Sequence, residues 1–147
     1  MFYTQYDSPV GPLTLVSDGA ALTELRFGPS SEPITDLPLL RAACAWLDVY
    51  FSGRDPGPTP PLAPAGTAFQ RRVWQELRKV PFGGTVSYGE LAKRAGCGSA
   101  RAVGQAVHRN PIALLIPCHR VVGADGSLTG FAGGLDVKRR LLDLERG

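Results

Sequence analysis

Histidine, methionine and lysine are scarce in this chain: two, one and three residues among 147. No histidine precedes position 108 and Cys44 is the only cysteine in the first half, so a structural metal site there lacks ligands. Cys44, Cys97 and Cys118 are odd in number and widely spaced. That excludes a disulfide framework and argues for reduced thiols in a cytoplasmic setting. Long apolar runs are missing, so no segment suits a bilayer span. The opening MFYTQYDSPVGP lacks the charged start and apolar stretch of a signal peptide and reads instead as a first strand.

What is present is an ordinary globular composition, 44% hydrophobic and 20% charged, long enough for one sizeable domain or two small ones. The net charge of +3 is unevenly spread: residues 1–65 carry −4 and residues 66–147 carry +7. A basic C-terminal half suits a polyanionic partner, and equally a solvated basic face.

Strand-like runs FYTQY, PLTLVS and ALTELRF, separated by DSPVG and DGA, predict a small antiparallel meander. Residues 36–52 follow with a helical stripe of Leu37, Leu40, Cys44, Leu47 and Phe51, Asp36 as N-cap and Gly53 as stop. Cys44 is expected in the core. Five prolines in RDPGPTPPLAPAG (54–66) predict a stiff, extended linker. Beyond it the chain turns helical. Thr67 caps a helix bearing Phe69, Val73 and Leu77, and Ser87 with Glu90 forms an S-x-x-E capping box. Gly96 to Gly98 make a turn, and Ser99 caps a second helix stopped by Pro111, which together lay out a helix-turn-helix. The last helix, LDVKRRLLDLERG, is expected to turn Val137, Leu141 and Leu144 inward and Lys138, Arg139 and Arg140 outward. Glu145 falls in its final turn, where a carboxylate opposes the helix dipole. The fold class is therefore α+β: a small N-terminal antiparallel sheet with a helix (1–63), joined by the proline-rich linker to a mostly helical C-terminal domain (64–147).

Chemistry concentrates at IPCHRVVG, residues 116–123. A nucleophilic cysteine needs a base to remove its proton, and histidine is the usual one. Yet neighbours in a regular strand or helix do not face each other. Cys118 and His119 cooperate only if the backbone is irregular, as Pro117 encourages, or if a water links them. On local physics a buried structural cysteine is as good a reading as a reactive one.

Asn110 to Val122, NPIALLIPCHRVV, resembles the active-site signature of the O6-alkylguanine-DNA alkyltransferases, the methylated-DNA–protein-cysteine methyltransferases. Phe69–Trp74, PFG at 81–83, SYGELA at 87–92, ARAVG at 100–104 and Gly133–Glu145 resemble that family in the same order, and SPVGPLTL at 8–15 its N-terminal opening. The resemblance implies that Cys118 accepts an alkyl group from O6 of guanine and keeps it, so each molecule acts once; whether O4-alkylthymine is also accepted the sequence does not say. It implies His119 as base through a water, Glu145 as its orienter, Asn110 as a brace for the turn and Tyr88 as proton donor to the base. The carbonyls of Cys118 and Val121 would read the exocyclic amine, with Phe131 and Ala132 also at the base. Arg101 would fill the stack vacated by a flipped nucleotide. Gly89, Ser99 and Ala100 would join Arg101 and Tyr88 against the minor groove of double-stranded DNA. Phe131 and Ala132 depart from a tyrosine and a serine common in relatives, which removes two hydroxyls. No metal, cofactor or membrane is implied, and a monomer is expected. His108 is assigned nothing, and Cys97 is expected to be exposed. The rival readings are a lesion-binding protein that does no chemistry and a helix-turn-helix regulator; the presence of Cys118 favours chemistry.

Overall fold

A computed structural model describes residues 1–147. Strands β1 (Phe2–Ser8), β2 (Gly11–Ser17) and β3 (Leu22–Phe27) form an antiparallel meander in the order β1-β2-β3. The register sets Tyr6 opposite Leu13 and Leu15 opposite Leu25. Every residue of β2 from Leu13 to Ser17 is buried, as befits a central strand covered on both faces. The buried polar residues are satisfied locally: Thr14 Oγ1 donates to the Gly28 carbonyl and Ser17 Oγ to that of Ala21.

Helix α1 (Pro38–Phe51) lies against all three strands and buries Leu40, Ala43, Trp46, Leu47 and Tyr50. Proline at its first position begins the helix without an unsatisfied N–H. The N-cap is Leu37, and Asp36 instead holds Arg41 at 2.7 Å. Cys44 is only half-buried, one position off the inward stripe, so the expectation of a core cysteine is corrected.

The proline-rich segment is not a free spacer. Leu22 N–H donates to the Pro61 carbonyl and Ala63 N–H to that of Leu22, so the segment docks on the outer edge of β3. Further along that edge Leu25 exchanges hydrogen bonds with Pro111 and Ala113. On the opposite edge the Thr35 N–H donates to the Tyr3 carbonyl, a single bridge on β1.

In the C-terminal part, α2 (Ala68–Leu77) starts with a reciprocal capping box between Thr67 and Gln70. Trp74 is buried and donates its indole N–H to the Ala106 carbonyl at 2.8 Å, tying α2 to α4 (Ala100–His108). Gly66 makes room for that indole: a Cβ there would sit 2.6 Å from the ring. The two-residue strand β4 (Val86–Ser87) leads into α3 (Tyr88–Arg94), capped by Ser87; Glu90 pairs with Arg94 rather than completing a box. Cys97 N–H bonds to Ala92 and Gly96 N–H to Lys93, a Schellman ending that turns the chain into α4. Cys97 is half-buried there, less exposed than expected. Strand β5 (Val121–Val122) pairs in parallel with β4, and α5 (Leu135–Arg146) closes the fold. One cluster of 28 buried residues runs from Leu13 to Leu141, so the two halves share a core. No helix is long and apolar enough to cross a membrane.

Candidate active site

Cys118 reaches its position through two γ-turns. Leu114 sits at φ 71° and Leu115 N–H donates back to Ala113 at 2.9 Å. This is the strained form, with its central residue at positive φ. Pro117, at φ −79° and ψ 66°, makes the inverse form, closed by Cys118 N–H to Ile116 at 2.8 Å. Asn110 holds both ends of this stretch: its Nδ2 donates to the Ile116 carbonyl at 2.8 Å and its Oδ1 accepts from Ile112 N–H at 3.0 Å. Strain of this kind persists only where the surroundings over-determine it. A single 3-10 turn, Cys118–Arg120, then delivers the irregular backbone that an adjacent cysteine and histidine require.

His119 is fully buried. Its Nε2 is hydrogen-bonded to Glu145 Oε2 and lies 3.3 Å from the Tyr50 hydroxyl. Its Nδ1 is buried without a hydrogen-bond partner. Glu145 receives four donors. Oε1 accepts from Arg120 Nε at 2.8 Å and Gly83 N–H at 3.0 Å. Oε2 accepts from the Tyr50 hydroxyl at 2.6 Å and from His119 Nε2. Gly83, at φ +81°, aims its N–H into the site from a conformation side chains disfavour. Burial alone would raise the Glu145 carboxyl, but the hydrogen bonds from His119, Arg120 and Tyr50 outweigh it and hold the group at about 2. The carboxylate is thus ionised and can only accept. Nε2 therefore carries the ring proton, and Nδ1 keeps a free lone pair. Burial pushes the imidazole below its ordinary value against the pull of Glu145, so the ring is neutral near pH 7. The dipole-opposing position of Glu145 is offset by these four donors.

Cys118 is 9% exposed, at the base of a narrow cleft with Asn110, Ala113, His108, Gly130, Phe131 and Ala132. Burial pushes its thiol up; the Asn110 side chain, the Lys138 charge and the backbone N–H groups of Cys118 and His119 act against that. Lys138 is fully buried, which corrects its expected outward position. It donates to the Val121 carbonyl at 2.6 Å and the Thr129 carbonyl at 3.2 Å. The Val121 carbonyl, expected to read a base, thus already accepts one hydrogen bond. Burial lowers the Lys138 ammonium, and the Cys118 charge opposes the shift.

At the rim, the Tyr88 hydroxyl lies 2.7 Å from Thr129 Oγ1, and Phe131 stands edge-on to Phe27 of β3, ring centroids 5.4 Å apart. Gly89, Ser99, Ala100 and Arg101 are exposed on the first turns of α3 and α4, and the Ser99 hydroxyl is committed to capping Ala102 N–H. Of the residues singled out in the sequence, Asn110 braces the stretch that leads to Cys118 and His119, and Glu145 reaches His119 from α5. Sequence reasoning missed Tyr50, Gly83, Arg120, Thr129 and Lys138. The spacing of Lys138, Leu141, Leu142 and Glu145 on one helical face was a usable signal for Lys138; nothing near Tyr50 in sequence pointed to it. No group of three or more His, Cys, Asp or Glu side chains is placed to hold a metal ion.

Residues 1–63 match the 6-O-methylguanine DNA methyltransferase ribonuclease-like domain, and residues 68–147 the DNA-binding domain of the same family. The chain is 44% identical to the methylated-DNA–protein-cysteine methyltransferase of Methanosarcina acetivorans, over 99% of this chain and 98% of that one. It is 47% identical to that of Mycobacterium bovis, over 98% and 92%. Its fold superimposes on the Mycobacterium tuberculosis protein OGT, solved in complex with DNA, with a TM-score of 0.91 at 45% identity over 99% of this chain and 93% of that one. Matched in both halves by one family and along nearly its whole length by these relatives, the chain belongs to the 6-O-methylguanine DNA methyltransferase family.

Proposed function

We propose that this protein repairs DNA by moving the alkyl group of O6-alkylguanine in duplex DNA onto its own Cys118, once per molecule. The observation that carries the reading is the state of His119: Glu145 holds Nε2–H and leaves a buried, unpartnered Nδ1 one residue from the thiol. The thiol proton passes through a water to Nδ1, and the sulfur attacks the carbon on O6 as thiolate. The S–C bond forms, the C–O6 bond breaks, and its electron pair stays with guanine. Tyr88 supplies the hydrogen bond or proton that the leaving base needs, and the proton taken from the thiol balances the one the base gains. The thioether is not hydrolysed, so the protein is consumed. O4-alkylthymine presents the same type of alkyl–oxygen bond.

Asn110 positions the turn. The Cys118 and Val121 carbonyls, with Phe131 and Ala132, bound the base site. The target atom lies inside the duplex, so the nucleotide is flipped out at a cost of a few kcal/mol. Arg101, exposed on the first turn of α4, fills the gap, with Gly89, Ser99 and Ala100 against the minor groove. The Mycobacterium tuberculosis relative, solved in complex with DNA, supports DNA as the partner. The protein acts as a monomer, and the odd number of widely spaced cysteines suits the reducing cytoplasm.

The test is to incubate the protein with duplex DNA carrying O6-methylguanine and weigh it intact. One added methyl per molecule, absent in Cys118→Ser, is expected. Unchanged mass despite binding would instead leave a lesion-binding protein. Arg101→Ala is expected to slow repair in duplex DNA much more than reaction with a free O6-substituted guanine; equal losses on both would remove the finger role.

A further inference from the structure

Tyr50 is the one side chain of the N-terminal half that enters the hydrogen-bond network behind Cys118. It is fully buried in α1, far from the active-site motif in sequence. Its hydroxyl donates to Glu145 Oε2 at 2.6 Å, the same oxygen that accepts from His119 Nε2, and lies 3.3 Å from that nitrogen. The ring is clamped: Trp46 stacks on it at 5.7 Å and 2°, and Phe51 and Phe82 meet it edge-on at 5.2 and 5.9 Å. Ring packing alone needs no hydroxyl, and a phenylalanine would fill the same space. Placing a phenol O–H on a carboxylate oxygen already used by a histidine is a specific choice.

We propose that Tyr50 is a positioning residue that sets the basicity of His119 by sharing Glu145 Oε2 with it. The inference rests on Cys118 as alkyl acceptor and His119 as its base. Burial first, and then the Glu145 charge, push the Tyr50 phenol far up, so it stays protonated and serves only as donor to the carboxylate. A carboxylate whose lone pairs are taken up by other donors pulls less on the imidazole N–H, which disfavours imidazolium and leaves Nδ1 available. The charges facing His119 are Glu145 itself, Arg120 and Lys138, with the neutral Cys118 thiol next in the chain. Arg120 and Lys138 are cations and also oppose imidazolium. Tyr50 is thus the neutral donor that completes the carboxylate's coordination. It makes the N-terminal half a participant in tuning the base although no reacting atom lies there.

The test is the pH dependence of the single-turnover transfer rate from O6-methylguanine duplex DNA, with the methyl mapped to its peptide. In Tyr50→Phe the freed carboxylate oxygen holds the imidazole proton more strongly. The acid limb, where a protonated His119 blocks the reaction, is expected to move up by about half a pH unit or more. Replacing Tyr50 by 3-fluorotyrosine keeps the packing and strengthens the donor, so the limb is expected to move down. A merely structural role would lower the rate equally at all pH values and leave the limb in place in both variants, which overturns the proposal. If Tyr50→Phe does not fold, the fluorinated protein decides alone. If the methyl maps to a residue other than Cys118, the acceptor reading and the Tyr50 proposal fall together; if it maps to Cys118 and the limb is unmoved, only Tyr50's role falls.

Discussion

Replacing Glu145 by glutamine is expected to destabilise the protein at neutral pH and to matter progressively less as the solution is acidified. The carboxyl is drawn from an ordinary 4.5 down to about 2 in the fold, because burial, which raises it, is outweighed by His119, Arg120 and Tyr50. At about 1.4 kcal/mol per pH unit, that difference is worth roughly 3 kcal/mol of folding stability. A depressed carboxyl stabilises the fold above its unfolded value and loses that contribution as pH falls through its folded value, here between about 5 and 2. Glutamine keeps the shape and one acceptor oxygen but removes the charge, leaving the Arg120 guanidinium buried without its counter-ion. Losing one partner of a buried pair costs about 3–5 kcal/mol, in line with the linkage figure. His119, depressed by burial, adds its own loss of stability below about pH 6.5; Glu145 opposes that depression, so the loss is greater in Glu145→Gln and works against the narrowing of the gap. Urea unfolding of wild type and Glu145→Gln at pH 7, 5, 4 and 3 is the assay. The gap should be roughly 3 kcal/mol at pH 7 and shrink steadily below pH 5. A gap that stays constant from pH 7 to 3 would show that the carboxylate is not held ionised by His119, Arg120 and Tyr50.

Asn110→Ala removes two hydrogen bonds and leaves the buried Ile112 N–H unpaired, so a loss of about 2–4 kcal/mol is expected in denaturant unfolding. It should also slow transfer to Cys118 in protein that remains folded, because the strained turn at Leu114 loses its brace; an unchanged rate would count against the brace. Gly66→Ala places a Cβ 2.6 Å from the Trp74 ring and is expected to cost about 1–3 kcal/mol, read as a lowered melting temperature, with the methyl acceptor capacity of the remaining folded protein unchanged.

How far the sequence could be read depended on whether a feature was local. The three strands, the Thr67 and Ser99 caps and the turn between α3 and α4 follow from periodicity and capping chemistry within a few residues, and the structure places them where the sequence predicts. Errors arose where a helix could roll by one position. Asp36 looked like a cap but Pro38 already begins α1, and the inward stripe runs through Ala43 and Leu47 rather than Cys44. Lys138 was read as solvated because it is charged, yet two backbone carbonyls stand ready to accept its protons in the interior.

By itself the sequence determined the chemistry available: one cysteine beside one histidine, an asparagine eight positions before, a carboxylate at the end of the last helix and a basic half to meet a polyanion. Those are statements about which groups exist and how the chain is punctuated, and short-range physics suffices for them. Only the tertiary structure decided which nitrogen of His119 is free and that Glu145 is ionised. It alone brought Tyr50, 95 positions away from Glu145, to share the oxygen on which His119 leans. Protonation states follow from burial and from donors contributed by distant elements, and nothing in the local pattern of residues 116–123 encodes either.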